Sequence, residues 1–242
     1  MDMNQISPYI RVALDSKINP PWKIHERVLF DYEIMYIKSG EVLVTIEDEE
    51  YHGTPGDLFI FKPKQRHSIT FLGEAPVHQP HIHFDFFYKQ DSPEVLLSFH
   101  PLHKIPAEQH AWFREDLTEE WGIPSYYRLS DPTIFESKLF SLIQVVEQKM
   151  PYSEITAKGL FIDLWVHLLQ QLNHFQHEFV IPHLEALNKV KEYLSVNYYE
   201  PANIDHLAKM AKLSKSHFLR LFKLAFRMSP IQYQQAIRMD KA

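Results

Sequence analysis

The 242-residue chain is 45% hydrophobic and 14% aromatic, enough apolar material for one or two packed domains and too much for a disordered chain. It has no cysteine, which excludes disulfides, thiolate nucleophiles, iron–sulfur clusters and cysteine-ligated zinc, and its six glycines form neither GxGxxG nor a phosphate-binding loop. The net charge of −6 hides a division, because Lys and Arg number fifteen against 26 Asp and Glu up to Leu184 and ten against five beyond it.

No apolar run reaches the roughly 18 residues that a bilayer span needs, and the start, Met1-Asp2-Met3-Asn4-Gln5, lacks the layout of a signal peptide. A cytoplasmic protein with no membrane partner is expected. From Leu29 to Phe87 short apolar runs at 30–37, 42–46, 58–61 and 82–87 are separated by turn residues at 39–41, 47–56, 62–64 and 72–76. Such close spacing predicts an antiparallel sandwich or small barrel. In His81-Ile82-His83-Phe84-Asp85-Phe86 polar and apolar side chains alternate, so His81, His83 and Asp85 share one face of a strand. That face either lines a cavity suited to a hydroxylated ligand or meets solvent. Residues 88–131 read as irregular segments and further strands.

After Asp131-Pro132 the period changes. Phe135, Leu139, Leu142, Ile143, Val146 and Met150 recur at helical spacing, and Phe161, Leu164, Trp165, Leu168, Leu169, Leu172 and Phe175 form a second, wide stripe. These two amphipathic helices, at 134–150 and 155–175, either pack on the sheets or also pair with a second copy in a homodimer. Residues 175–183 read as a linker.

Beyond it, Leu187, Val190 and Leu194 mark a helix, Asn203 caps a second, and Ser214 caps a third after a short turn. Phe218, Leu221, Phe222 and Ala225 take one face of the third helix and leave Ser216, Arg220 and Lys223 on the other. No acidic residue occurs between Asp205 and Asp240, where seven basic residues fall. Two short helices, a tight turn and a basic exposed face predict a helix-turn-helix with its recognition helix at 214–226 and double-stranded DNA as partner. Arg220 is the first candidate for a base or phosphate contact, with Lys215, Ser216 and Lys223 in support.

The run Glu200-Pro201-Ala202-Asn203-Ile204-Asp205-His206-Leu207-Ala208, then Leu213-Ser214-Lys215-Ser216-His217-Phe218-Leu219-Arg220-Leu221-Phe222-Lys223, then Met228-Ser229-Pro230, resembles the first helix-turn-helix of the AraC/XylS-type transcription regulators. In that family a long helix leads to a second such motif, and Lys241-Ala242 falls inside the joining helix, so this chain is expected to bind DNA with one motif only, and weakly. Asp31-Tyr32-Glu33 to Gly40, with Pro55-Gly56-Asp57 and Pro63 to His67, resembles the cupin-like sensor domain of the same family.

The resemblance implies an α+β protein: an antiparallel cupin-like barrel or sandwich with two helices at 1–180, which binds a small effector and dimerises, and a DNA-binding module at 184–242. A sugar or small organic acid is the effector it suggests. The ligand-binding candidates are Trp22, Arg27, Glu33, His67, His81 and His83. Enzymatic cupins hold a metal with two histidines just before the glutamate and a third in the second motif. Here Arg27, Val28 and Leu29 stand in the first place and only His67 remains, so no catalytic residue, metal or cofactor is expected. The rival reading is a metal-dependent cupin isomerase or dioxygenase with a helical tail, with Glu33, His67, His81 and His83 the ligand types at hand.

Overall fold

The computed structural model describes residues 3–226 and 228–241, apart from the side chains of residues 3, 119–120, 173–179, 181, 220, 224 and 240. The chain divides into two compact units, Met1–Leu168 and Leu169–Ala242.

The first unit is an antiparallel β-sandwich. Its strands are β1 (Tyr9–Leu14), β2 (Lys17–Ile18), β3 (Lys23–Arg27), β4 (Tyr32–Tyr36), β5 (Glu41–Ile46), β6 (Glu49–Gly53), β7 (Asp57–Phe61), β8 (His67–Leu72), β9 (Val77–His78), β10 (His81–Asp85) and β11 (Tyr126–Arg128). One sheet runs β1-β10-β4-β7-β11, the facing sheet β3-β8-β5-β6, and β2-β9 form a small ribbon. All named pairs are antiparallel, as the spacing predicts. Between the sheets lie Met35, Ile37, Val42, Val44, Ile46, Phe59, Phe61, Ile69 and Phe71. Gly40 (φ +85°) makes the β4–β5 turn, and any Cβ there would sit 2.9 Å from Val77.

β4 is buried at all five positions because its outer face is covered as well. Tyr36 meets Phe135 edge to face at 5.5 Å, and Phe84 and Phe86 meet Phe161 and Trp165. These rings come from α2 (Thr133–Gln148) and α3 (Ser153–Val180), which follow a one-turn helix, α1 (Thr118–Trp121). Asp131 Oδ1 accepts the Thr133 N–H at 2.9 Å to start α2, and Lys149 ends it in the left-handed conformation. The stripes through Phe135–Ile143 and Phe161–Leu168 are therefore core. The apolar residues of α3 that stay exposed are others, Ile155, Ile162 and Val166, which share one face. The expected linker is helical: α3 continues to Val180, and Ile181–His183 form a 3-10 turn.

The second unit holds α4 (Leu184–Val196), α5 (Ile204–Met210), α6 (Lys215–Phe226) and α7 (Pro230–Asp240). Asn203 accepts the His206 N–H at 3.1 Å and Ser214 the His217 N–H at 3.4 Å, so both expected caps form. Lys212 (φ 57°) turns the chain between α5 and α6. Leu187, Val190, Leu194, Leu207, Phe218, Leu221 and Phe222 make the core, and Ser229 with Gln232 closes a capping box at α7. No described helix is long and apolar enough to cross a membrane.

Candidate functional site

The polar face of β10 points into the sandwich, not to solvent. His83 is paired across the strand with Glu33 of β4, and Arg27 of β3 with His67 of β8 in the facing sheet. A register shift between Ile24 and Arg27 turns the arginine inward, where it is 2% exposed, while His25 and Glu26 stay outside. Arg27 then spans the two sheets, donating from Nη2 to Glu33 Oε2 at 2.6 Å and from Nε to His67 Nε2 at 2.9 Å. Its outer face is met by the exposed Phe99 ring, 5.4 Å from the guanidinium carbon.

His67 has both nitrogens engaged, because Nδ1–H donates to the Gln65 carbonyl at 3.1 Å and its ring stacks on Phe61 at 4.1 Å. These partners select the neutral Nδ1–H tautomer. Burial, and next the Arg27 charge, push the His67 imidazole down to about 3. Burial opposes the charge of Glu33 as well, but His83 and Arg27 outweigh it and hold the carboxyl at about 2. Burial also lowers His81.

These shifts give acid sensitivity a sign. Between the ordinary imidazole value of 6.5 and about 3, the unfolded chain binds a proton at His67 that the folded chain refuses, so stability falls as pH drops through that window. Glu33 adds to the loss only below its ordinary 4.5, where the unfolded carboxyl protonates and the folded one does not until about 2. Urea midpoints should therefore decline from pH 7 to pH 4. His67→Gln, which keeps a donor and an acceptor but cannot titrate, should start less stable and lose less. An unchanged slope in that variant would contradict the assignment.

A second buried group adjoins the first. Arg11 sits at the β1 bulge between Ile10 and Val12 and donates to Asp31 Oδ2 at 2.8 Å, Asp85 Oδ2 at 3.2 Å and the Val95 carbonyl at 2.8 Å. Ser92 donates to Asp85 at 2.7 Å, while Arg114 Nε lies 3.1 Å from the same carboxylate without hydrogen-bond geometry. His83 joins the two groups, with Nδ1 at 3.3 Å from Asp31 Oδ1 and Nε2 at 3.6 Å from Glu33 Oε2. Arg11 and Asp31 were not among the sequence candidates. A lone arginine inside Tyr9-Ile10-Arg11-Val12-Ala13-Leu14 was the available signal.

Five of the six ligand candidates thus converge: Arg27, Glu33, His67, His81 and His83. Trp22 does not join them. It is 38% exposed and packs on Phe71 at 4.8 Å, the packing role of an arm residue. In the second unit Lys215, Ser216 and Lys223 lie exposed on α6, with Lys215 Nζ 3.2 Å from Asp205. The Arg220 side chain lies outside the described residues, as does Arg227.

Residues 18–109 match the AraC-like ligand binding domain. Over 218 residues the chain is 26% identical to the uncharacterized HTH-type transcriptional regulator YbfI of Bacillus subtilis strain 168, covering 87% of this chain and 69% of that one. The chain is similar to AraC-type regulators. An uncharacterized HTH-type transcriptional regulator of Haemophilus influenzae is 22% identical to this chain over 219 residues, covering 85% and 70% of the two. Among solved structures, a predicted oxalate decarboxylase of Thermotoga maritima matches at 20% identity with a TM-score of 0.29, over 31% of this chain and 66% of that one. The coconut allergen cocosin matches over 28% of this chain and 22% of its own, at 16% identity and a TM-score of 0.26.

The motif positions of the metal cupins do not fit a metal here. Arg27 and Leu29 stand where histidines would, and the Arg27 guanidinium already takes His67 Nε2, the remaining motif histidine.

Proposed function

We propose that this chain is an effector-responsive transcription regulator in which residues 1–180 bind a small molecule and dimerise, and residues 184–242 bind double-stranded DNA. The observation that carries the reading is the convergence of Arg27, Glu33, His67, His81 and His83 between the sheets of a domain that matches AraC-like ligand binding domains. The group offers donors and acceptors side by side with charges largely paired, which suits a neutral polyhydroxylated ligand such as a sugar; a small organic acid would have to draw Arg27 from Glu33. The exposed Ile155, Ile162 and Val166 are the surface on which two copies would pair, an outcome that light scattering of V166E reads directly.

A thermal-shift screen of sugars and organic acids against the chain and His81→Gln tests the effector site. A ligand that binds only the folded chain raises its melting temperature, and the variant should lose that rise. The DNA reading has its own test. Affinity supplied by phosphate contacts falls with salt at a slope of roughly 0.9 per neutralised phosphate, so K215A and K223A should each flatten the salt dependence by about one unit. Ser216→Ala should leave it alone. A salt slope indifferent to both lysines would remove α6 from the interface.

A further inference from the structure

We propose that Glu33, His81 and His83 form a site for a divalent metal ion of the zinc class, a ligand set that shares only Glu33 with the cupin motif. One donor atom from each of the three lies within 4.8 Å of the others. Each is aimed by an outer partner. His83 holds Asp31 through Nδ1 at 3.3 Å, and Asp31 is itself fixed by Arg11 at 2.8 Å. His81 Nδ1 holds the Gln79 carbonyl at 3.3 Å. Glu33 is fixed by Arg27. A histidine whose Nδ1–H is taken by a carboxylate or carbonyl while its other nitrogen is free is the arrangement that orients imidazole toward zinc.

The facing pair strengthens the case. His83 Nδ1 is held by Asp31 while its Nε2 faces Glu33 Oε2 at 3.6 Å, so an ion seated between them would meet both donors. Donors of a tetrahedral ion with bonds of about 2.1 Å stand roughly 3.4 Å apart, so the His83–Glu33 pair at 3.6 Å is already near the required spacing, and His81, within 4.8 Å of both, has to close by at most about 1.4 Å. Three protein ligands leave the fourth position open. His81 is the least buried of the three, so the ion would reach the site from its side.

The site goes beyond the regulator reading and does not depend on it: a metal-free chain that still answers an effector would overturn the site and leave that reading standing. The test strips the full chain with chelator, reloads it with Zn²⁺ or Co²⁺, and reads bound metal per chain together with the visible absorption of cobalt. One ion per chain and a four-coordinate cobalt band are expected, with the band lost in His81→Gln. Asp31→Asn should weaken binding about 10–100-fold by releasing His83. No band and under 0.1 ion per chain would overturn the proposal, as would a band that survives in His81→Gln. A band seen only in Arg27→Ala would overturn it too, because the guanidinium would then be filling the cation's place. Should either variant fail to fold, the stoichiometry and spectrum of the native chain still decide.

Discussion

Arg27→Ala should lower the stability of the N-terminal unit by about 3–5 kcal/mol, the scale for breaking a buried ion pair from one side. The arginine is 2% exposed, so its loss strands the Glu33 carboxylate in a place water does not reach and removes the donor that His67 Nε2 accepts from. Arg27→Lys should recover part of the loss, because one ammonium can meet Glu33 but cannot also reproduce the planar fork that reaches His67. The exposed Arg66, paired with Glu47 at 2.9 Å in solvent, is the control, and Arg66→Ala should leave the midpoint where it was. All four tryptophans, Trp22, Trp112, Trp121 and Trp165, belong to the first unit, so tryptophan fluorescence in a urea titration reports this unit by itself. Equal midpoints for Arg27→Ala and Arg66→Ala would show that the cross-sheet pair carries no weight.

Phe222→Ala should act on the other unit with a similar free energy and a larger consequence. The ring is fully buried and meets Phe218 at 5.6 Å, Phe226 at 4.6 Å and Tyr233 at 6.1 Å, so its removal leaves a cavity at the centre of the helical core. Truncating a buried phenylalanine costs about 3–5 kcal/mol. A core built from only the last 74 residues has little more than that in reserve. Far-ultraviolet circular dichroism should then show helix lost at room temperature and DNA binding abolished, while the tryptophan transition and any effector-induced shift persist. If the tryptophan transition moves by the same amount, the two units unfold as one.

The architecture was open to sequence reading to different depths for physical reasons. The runs at 58–61 and 82–87 announced strands because both of their faces are covered and apolar residues crowd them. β8 went unread because its alternation places His67 on the buried face with Ile69 and Phe71, so the period begins on a polar residue. β6, Glu49-Glu50-Tyr51-His52-Gly53, is an edge strand with charged side chains outward, and polarity there guards an edge without preventing pairing. The stripes at 135–143 and 161–168 were rightly read as helices. Only the fold shows that they face Tyr36, Phe84 and Phe86, which leaves Ile155, Ile162 and Val166 for any partner.

By itself the sequence determined the chemistry available: no thiol, no phosphate loop, an acidic module followed by a basic one, caps at Asn203 and Ser214, and the strand alternation that sets His81 and His83 on one side. Those are local properties, governed by residue type and by spacings of a few positions. What the tertiary structure alone decided was direction and company. Whether the histidine face of β10 looked inward depended on which strand lay beside it and on what covered the opposite face, and the answer came from Glu33 across the ladder and Phe161 and Trp165 behind it. The bulges that turn Arg11 and Arg27 into the sandwich leave no mark in residue type, because a bulge is a mismatch between two strands and belongs to neither sequence segment. A buried charge is tolerated only where its partner arrives from elsewhere in the chain, and for Arg27 that partner's position was settled by two sheets closing over each other.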